Sequence, residues 1–143
     1  MKKGVNIRCV CMADKEFWMS FDKHISADRF DEKVKNKRGY VLFADSRPAG
    51  ILRYNLFWDN TPFCTLLFIA EEYRRKGYGA ELVAFWEKEM FALGYDFVLT
   101  STRADEDAQN FYRALGYSDC GGLLLSGQPM ELFLCKNFGA ERG

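Results

Sequence analysis

The stretch from Thr65 to Leu93 constrains this chain more than any other. An apolar run, residues 65–70, ends in two carboxylates, Glu71 and Glu72. A basic turn follows, Arg74-Arg75-Lys76-Gly77, and then a long amphipathic helical pattern begins. A strand that feeds a helix through so short a turn dictates a β-turn-α unit, and Arg74, Gly77 and Gly79 give that turn the spacing R-x-x-G-x-G. The two glycines remove side chains where a ligand has to approach the backbone. The first amides of a helix have no partner within it, and the helix dipole with its flanking cations favours an anion there, phosphate above all. The spacing is not a Walker loop and lacks the third glycine of a dinucleotide fingerprint.

The rest of the composition narrows what that anion site serves. The chain has 143 residues, 48% of them apolar and 16% aromatic, enough for one domain with its own core and too apolar for a disordered segment. Twenty basic side chains balance twenty acidic ones. A nucleic-acid binder shows a basic excess, so the balance argues for one small anionic ligand and against a nucleic-acid partner. No apolar run reaches the length of a membrane span, so no membrane partner is expected. Met1-Lys2-Lys3-Gly4 is followed by no apolar leader, which points to a cytoplasmic protein. The five cysteines, Cys9, Cys11, Cys64, Cys120 and Cys135, are odd in number and show no C-x-x-C spacing. They read as reduced thiols, with no metal site. His24 is the sole histidine, which argues against a metal centre or a His-based nucleophile pair and places it on the surface.

Hydrophobic periodicity predicts a strand over 5–11, helices over 14–24 and 26–37 closed by Gly39, and a strand over 40–44. A turn at 45–48 leads to a strand at 50–58, and a second turn at 59–62 leads to the strand at 63–70. The helix after the glycine turn spans 77–93 with Gly94 just past its end. A strand at 95–100 follows, and a helix runs from an Asp105 cap to 115, stopped by Gly116. Strands at 117–125 and 130–136 finish the chain through the turn 126–129. The order β-α-α-β-β-β-α-β-α-β-β is an α+β, or mixed α/β, domain over 1–143. Its central β-α-β unit needs a parallel pair, and the hairpins before it need antiparallel ones.

That element order, with R-x-x-G-x-G at the fourth strand–helix junction, resembles the GNAT N-acetyltransferase superfamily. A second segment agrees: residues 105–117, Asp-Glu-Asp-Ala-Gln-Asn-Phe-Tyr-Arg-Ala-Leu-Gly-Tyr, look like the family's N-x-x-A-x-x-F-Y-x-x-x-G-F. The resemblance implies the acyl-CoA N-acyltransferase fold: a central mixed, mostly antiparallel sheet of about seven strands with about four helices. It implies acetyl-CoA as cosubstrate and transfer of its acetyl group to a primary amine by direct attack in a ternary complex. A small-molecule or peptide amine is the expected acceptor, with room for a homodimer. The alternative is a GNAT-fold module that holds acyl-CoA as a sensor or partner without transferring the acyl group.

The same resemblance assigns residues. Arg74, Arg75, Lys76, Gly77, Tyr78, Gly79 and Ala80 would hold the pyrophosphate, chiefly through backbone amides. Leu67, Phe68 and Ile69 would meet the pantetheine arm along the strand, as an added strand would. Tyr112 falls on the family's general-acid tyrosine, which offers a proton to the leaving thiolate. Asp105 stands where the family often has an asparagine contacting the coenzyme. It can accept a hydrogen bond or cap the helix, but it cannot donate as an amide does. For a general base, Glu71, Glu72, Asp59 and Glu131 are candidates that no spacing rule separates. Trp18, Phe21, Phe57 and Trp58 offer an aromatic wall for the acceptor.

Overall fold

The computed structural model describes residues 3–139. In chain order the elements are β1 (Val5–Cys9), α1 (Lys15–Phe21), α2 (Ala27–Asn36), β2 (Gly39–Ala44), β3 (Arg47–Phe57), β4 (Thr61–Ile69), α3 (Tyr78–Ala92), β5 (Phe97–Arg103), α4 (Ala108–Ala114), β6 (Ser118–Leu123) and β7 (Glu131–Asn137). Single 3-10 turns, Met12–Asp14 and Glu71–Tyr73, precede α1 and α3. The seven strands form one sheet in the order β1-β2-β3-β4-β5-β7-β6, antiparallel except for the β4–β5 pair, where the β-α-β crossover requires parallel strands. The α+β fold expected from the element order is the fold observed.

The chain divides into two compact units, residues 1–54 with 66–86 and residues 55–65 with 87–143, so the boundary cuts through β3, β4 and α3. In the first unit β1 and β2 pair from Val5↔Ala44 to Cys9↔Tyr40, and β2 pairs with β3 from Gly39↔Arg53 to Ala44↔Arg47. A bulge between Leu42 and Phe43 brings Pro48, which has no N–H to donate, opposite Phe43. Alternation along β2 makes two cores. Val41 joins Val10, Trp18, Phe30 and Ile51. Tyr40, on the opposite face, stacks on Tyr54 and meets Phe85 edge-on, with Trp86 against Tyr54. Asp22, whose side chain is fully buried, accepts from the Arg53 guanidinium at 2.7 Å and from the Trp18 indole at 3.2 Å.

The helical boundaries correct the sequence reading in three places. Residues 12–14 form a 3-10 turn, and α1 closes at Phe21, because the Asp22 carboxylate turns back to the Trp18 indole and to the His24 amide. Gly39 does not end α2. Lys37 takes the left-handed cap conformation, with φ +57°, and Gly39 opens β2, where a Cβ would press on Trp18 and Val10 at 3.0 and 3.1 Å. Helix α4 starts at Ala108 with Asp107 at its N-cap, so Asp105 is not the cap. Ser26 does cap α2, accepting from the Arg29 amide at 3.2 Å.

Lys33 on α2 is buried, and its ammonium donates to the Tyr54 carbonyl at 2.8 Å. Burial, helped by the Arg53 and Arg38 charges, pulls its pKa down to about 8. The unfolded chain keeps that proton until the ordinary lysine range, so it binds more protons than the native state between about pH 8 and pH 10.5. The Lys33 contribution to stability should therefore rise with pH through that window. Urea midpoints of wild type and Lys33→Met at pH 7.5 and pH 10 check this. The difference between the two proteins should shift in favour of wild type at the higher pH, and an unchanged difference would refute the assignment.

In the second unit β4 and β5 pair at Phe63↔Leu99 and Cys64↔Thr100, and β4 continues beyond that ladder to Ile69. Strand β7 lies between β5 and β6, pairing from Phe97↔Asn137 to Arg103↔Glu131 on one side and from Ser118↔Cys135 to Leu123↔Glu131 on the other. Trp58 and Asp59 both have positive φ, the signature of the tight turn that matches strand twist between β3 and β4. The Glu87 carboxylate ties α3 to the strands, accepting from the Tyr117 hydroxyl at 2.7 Å and from Lys136 at 3.0 Å.

No disulfide forms among the described residues. Cys11 lies outside β1, just ahead of the 3-10 turn, and not in a strand as the alternation predicts. Cys120 is the extra residue of the β6 bulge, and its thiol is pushed up to about 11 by partial burial and by the Cys135 sulfur beside it. Counting on unfolded, unreduced protein should find five thiols. In the folded protein Cys120 should alkylate slowly at pH 8 and roughly tenfold faster per pH unit until about pH 11, as the reactive thiolate forms. Peptide mass spectrometry of timed alkylation reads this, and a flat pH profile at Cys120 would contradict it. Met1 and Lys2, the start of the segment read as leaderless, lie outside the described residues, as do residues 140–143 of the expected single domain.

Candidate active site

In the first unit the apolar run becomes the second half of β4 and ends where the Ala70 amide donates to the Ala49 carbonyl of β3 at 2.8 Å. The 3-10 turn Glu71–Tyr73 reverses the chain. Arg75 and Gly77 then both take positive φ, +63° and +83°, curling the backbone into the start of α3. The helical ladder opens with the Glu81 amide donating to the Gly77 carbonyl at 3.1 Å, so the Gly79 and Ala80 amides precede the ladder. Arg74, Arg75, Lys76 and Gly77 are exposed, while Tyr78, Gly79 and Ala80 are half-buried. This turn has the donors, the cations and the dipole sign that a pyrophosphate needs.

Arg74 also serves the turn itself. Its Nε donates to the Ile69 carbonyl at 2.7 Å, and its guanidinium lies 5.4 Å from the centre of the Phe68 ring. Lys76 lies over the Tyr73 ring, 6.0 Å from its centre, and Tyr73 packs on Tyr78. Leu67, Phe68 and Ile69 are half-buried on β4, with Phe68 against Phe21 at 5.3 Å. Glu71 and Glu72, the carboxylates nearest in sequence, are exposed.

In the second unit the side chain of central interest is Tyr112. Helix α4 carries it inward to 5% exposure, edge-on to Phe111 and Tyr117 at 5.0 and 5.3 Å. Its hydroxyl meets the Thr100 hydroxyl and the Cys64 thiol, a pair that faces across the β4–β5 ladder. Thr100 in turn donates to the Cys64 carbonyl at 3.2 Å. Burial raises the Tyr112 pKa well above the usual phenol value, with Cys64 adding to the effect and Thr100 opposing it. The phenol therefore keeps its proton throughout the neutral range and is a donor.

Asp105 lies between β5 and α4. It is exposed, and its carboxylate pairs with Arg103 at 3.0 Å. Among the other base candidates, Asp59 is exposed at its turn, whereas Glu131 is half-buried and accepts from the Ser101 hydroxyl at 2.6 Å. Of the residues expected to form an aromatic wall, one is closed off by its own core. Trp18 is fully buried in the core of the first unit, while Phe57 and Trp58 belong to a ring cluster with Phe63 and Phe133 in the second. Sequence reasoning missed Thr100, Cys64 and Ser101. Their signal was weak, since none belongs to a motif: Cys64 is a small residue in an apolar strand, and Thr100 and Ser101 sit in the polar second half of β5. No cluster of three or more His, Cys, Asp or Glu able to hold a metal occurs among the described residues, and no described helix is long and apolar enough to cross a membrane.

Comparison with known proteins places this geometry. No curated protein matches the chain. Solved structures do. Ard1 from Thermoplasma volcanium superposes with a TM-score of 0.82 at 15% identity, over 94% of this chain and 97% of that one. Naa50 from Arabidopsis thaliana, in complex with the bisubstrate analogue CoA-Ac-MVNAL, gives 0.78 at 11% identity over 94% and 99%. The PaiA N-acetyltransferase from Thermoplasma acidophilum, in complex with coenzyme A, gives 0.72 at 17% identity over 96% and 99%. Identities this low establish a shared fold. Residues 9–117 match the Acetyltransferase (GNAT) family, and with most of its 143 residues inside that match the chain belongs to this family.

Proposed function

We propose that this chain is an acetyl-CoA-dependent N-acetyltransferase working as a single domain in the reduced cytoplasm, and that its acceptor is a primary amine of a small molecule or a peptide. The observation that carries the reading is Tyr112: a buried phenol that stays protonated where β4 and β5 stop pairing. Acetyl-CoA supplies an acetyl thioester: the amine, having lost its ammonium proton to solvent, attacks the carbonyl carbon, the C–N bond replaces the C–S bond as the thiolate leaves, and the nitrogen gives up a second proton to water. Tyr112 donates to the departing sulfur. Because its pKa stands above that of an ordinary phenol, it is the weaker acid of the pair and keeps its proton, stabilising the charge on the departing sulfur as a hydrogen-bond donor.

The turn of Arg74–Ala80 would hold the pyrophosphate through the amides ahead of the α3 ladder, with Arg75 and Lys76 supplying charge. Arg74 positions the turn through its bond to Ile69. Main-chain groups of Leu67, Phe68 and Ile69 would carry the pantetheine arm as an added strand. Asp105, paired with Arg103, would contact the coenzyme only as an acceptor. The structures of Naa50 with a peptide-bearing bisubstrate analogue and of PaiA with coenzyme A support an acyl-CoA site and an amine acceptor in this fold.

Thiol release from acetyl-CoA against a panel of small amines and peptide N-termini tests the proposal. Turnover with at least one amine is the expected result. Coenzyme binding without turnover on any member would instead make the chain an acyl-CoA-binding module.

A further inference from the structure

On one face of strands β5, β7 and β6 in the second unit, the alternation of residues gathers apolar side chains around a groove. Phe97 and Leu99 lie on it from β5, and Phe133 and Cys135 from β7. With Phe57, Trp58 and Leu123 they line a groove of about 480 Å³, within the range of small-molecule sites. One wall is a run of rings. Phe57 packs on Trp58 at 4.6 Å, on Phe63 at 5.8 Å and on Phe133 at 6.4 Å. Trp58 is 79% exposed and holds φ +55°, a conformation uncommon for a bulky side chain, so a large ring is presented to solvent at the groove's edge.

The same face carries one carboxylate. Glu131 precedes Phe133 by one same-face position on β7 and pairs in register with Leu123, a residue of the groove. One of its oxygens is anchored by the Ser101 hydroxyl at 2.6 Å, which leaves the other to accept a further donor. The cation directly across from it, Arg103, turns away to Asp105 at 3.0 Å and Glu106 at 4.0 Å. Among the described residues no cation pairs with Glu131. A half-buried carboxylate without a counter-ion, beside an apolar groove, complements a ligand that is cationic at one end and apolar at the other.

We infer that the acceptor is a primary amine bearing an aromatic-sized apolar substituent, with the substituent in the groove at Trp58, Phe57 and Phe133 and the ammonium on Glu131. This rests on the acetyltransferase reading for its consequence and on the groove alone for binding. Glu131 thereby sets specificity, and burial of the ring separates such an amine from a short one. Transferring one phenyl group from water favours 2-phenylethylamine over ethylamine by about 10- to 100-fold.

Calorimetry on the full chain with 2-phenylethylamine, ethylamine and spermidine tests the site, beside thiol release from acetyl-CoA with the same amines. The variants are Glu131→Gln, which keeps shape and removes charge, and Trp58→Ala, which truncates a side chain too exposed to hold the fold. Far-UV circular dichroism should be unchanged in both. The expected result is tightest binding of 2-phenylethylamine, weakened about tenfold or more by Glu131→Gln and severalfold by Trp58→Ala. Equal affinity for the three amines, or wild-type affinity in Glu131→Gln, overturns the inference. Acetylation of spermidine alone, indifferent to both substitutions, overturns it too while leaving the acetyltransferase reading intact. Binding that depends on Glu131 with no thiol release from any amine supports the groove and removes the transfer reading.

Discussion

Replacing Tyr112 with phenylalanine should lower turnover about 10²- to 10⁴-fold while changing acetyl-CoA affinity little. The ring stays, with its edge-on contacts to Phe111 and Tyr117, so the packing of α4 against the strands is kept. What goes is one hydroxyl, and with it the donor that, in the proposed mechanism, would meet the charge developing on sulfur. The loss of its contacts to Thr100 and Cys64 costs stability on the order of 1 kcal/mol, too little to unfold the domain. Steady-state kinetics with single-turnover traces reads the effect free of product release. A variant with wild-type single-turnover rates would remove Tyr112 from the chemistry. The raised pKa adds a second expectation: between pH 6 and 9 the wild-type rate should show no loss attributable to ionisation of this phenol, because its proton is held throughout.

Substitutions of Gly77 and Gly79 by valine should weaken coenzyme A binding, Gly77→Val by about 10²- to 10³-fold. Two effects add at Gly77. Its φ of +83° is a conformation that a β-branched residue adopts only at a cost of about 1–2 kcal/mol, and in the proposed site the new side chain would stand where phosphate oxygens reach backbone amides. Each charge-assisted bond lost there is worth about 1.5–3 kcal/mol. Gly79 separates the two effects. It lies inside the first turn of α3 and is absent from the positive-φ residues, so valine there obstructs approach without straining the turn. Calorimetry with coenzyme A should show both variants weakened and Gly77→Val more so. Unchanged affinity in both would mean that the pyrophosphate is held elsewhere.

Most of the fold could be read in the sequence because its elements announce themselves locally. Alternation marked the strands, apolar faces marked α2 and α3, and Ser26 capped α2 through its own side chain, as serine does. At the misread positions a specific partner, distant for Gly39 and adjacent for Asp105, outweighed the preference of the residue type. Gly39 is a good helix stop by composition, yet the crowding of Trp18 and Val10 assigns it to β2, and Lys37 accepts the left-handed cap in its place. Asp105 is a good N-cap by type, but the neighbouring Arg103 takes its carboxylate and the helix begins three residues later.

The candidate site divides along the same line. The R-x-x-G-x-G turn and Tyr112 were legible as candidates in the sequence alone, because such a turn is a local object: two glycines, three cations and a helix start within seven residues. The family match over residues 9–117 rests on such local motifs in the right order. Burial and pairing belong to the tertiary structure. Only the packing of α4 against the Cys64–Thr100 step of the sheet raises the Tyr112 pKa above that of an exposed phenol. Only the register of β5 with β7 sets Ser101 beside Glu131 and leaves Phe133 on the face of the groove. Ser101 and Glu131 are thirty residues apart in sequence, and desolvation depends on everything that surrounds a group, so no window along the chain contains either fact.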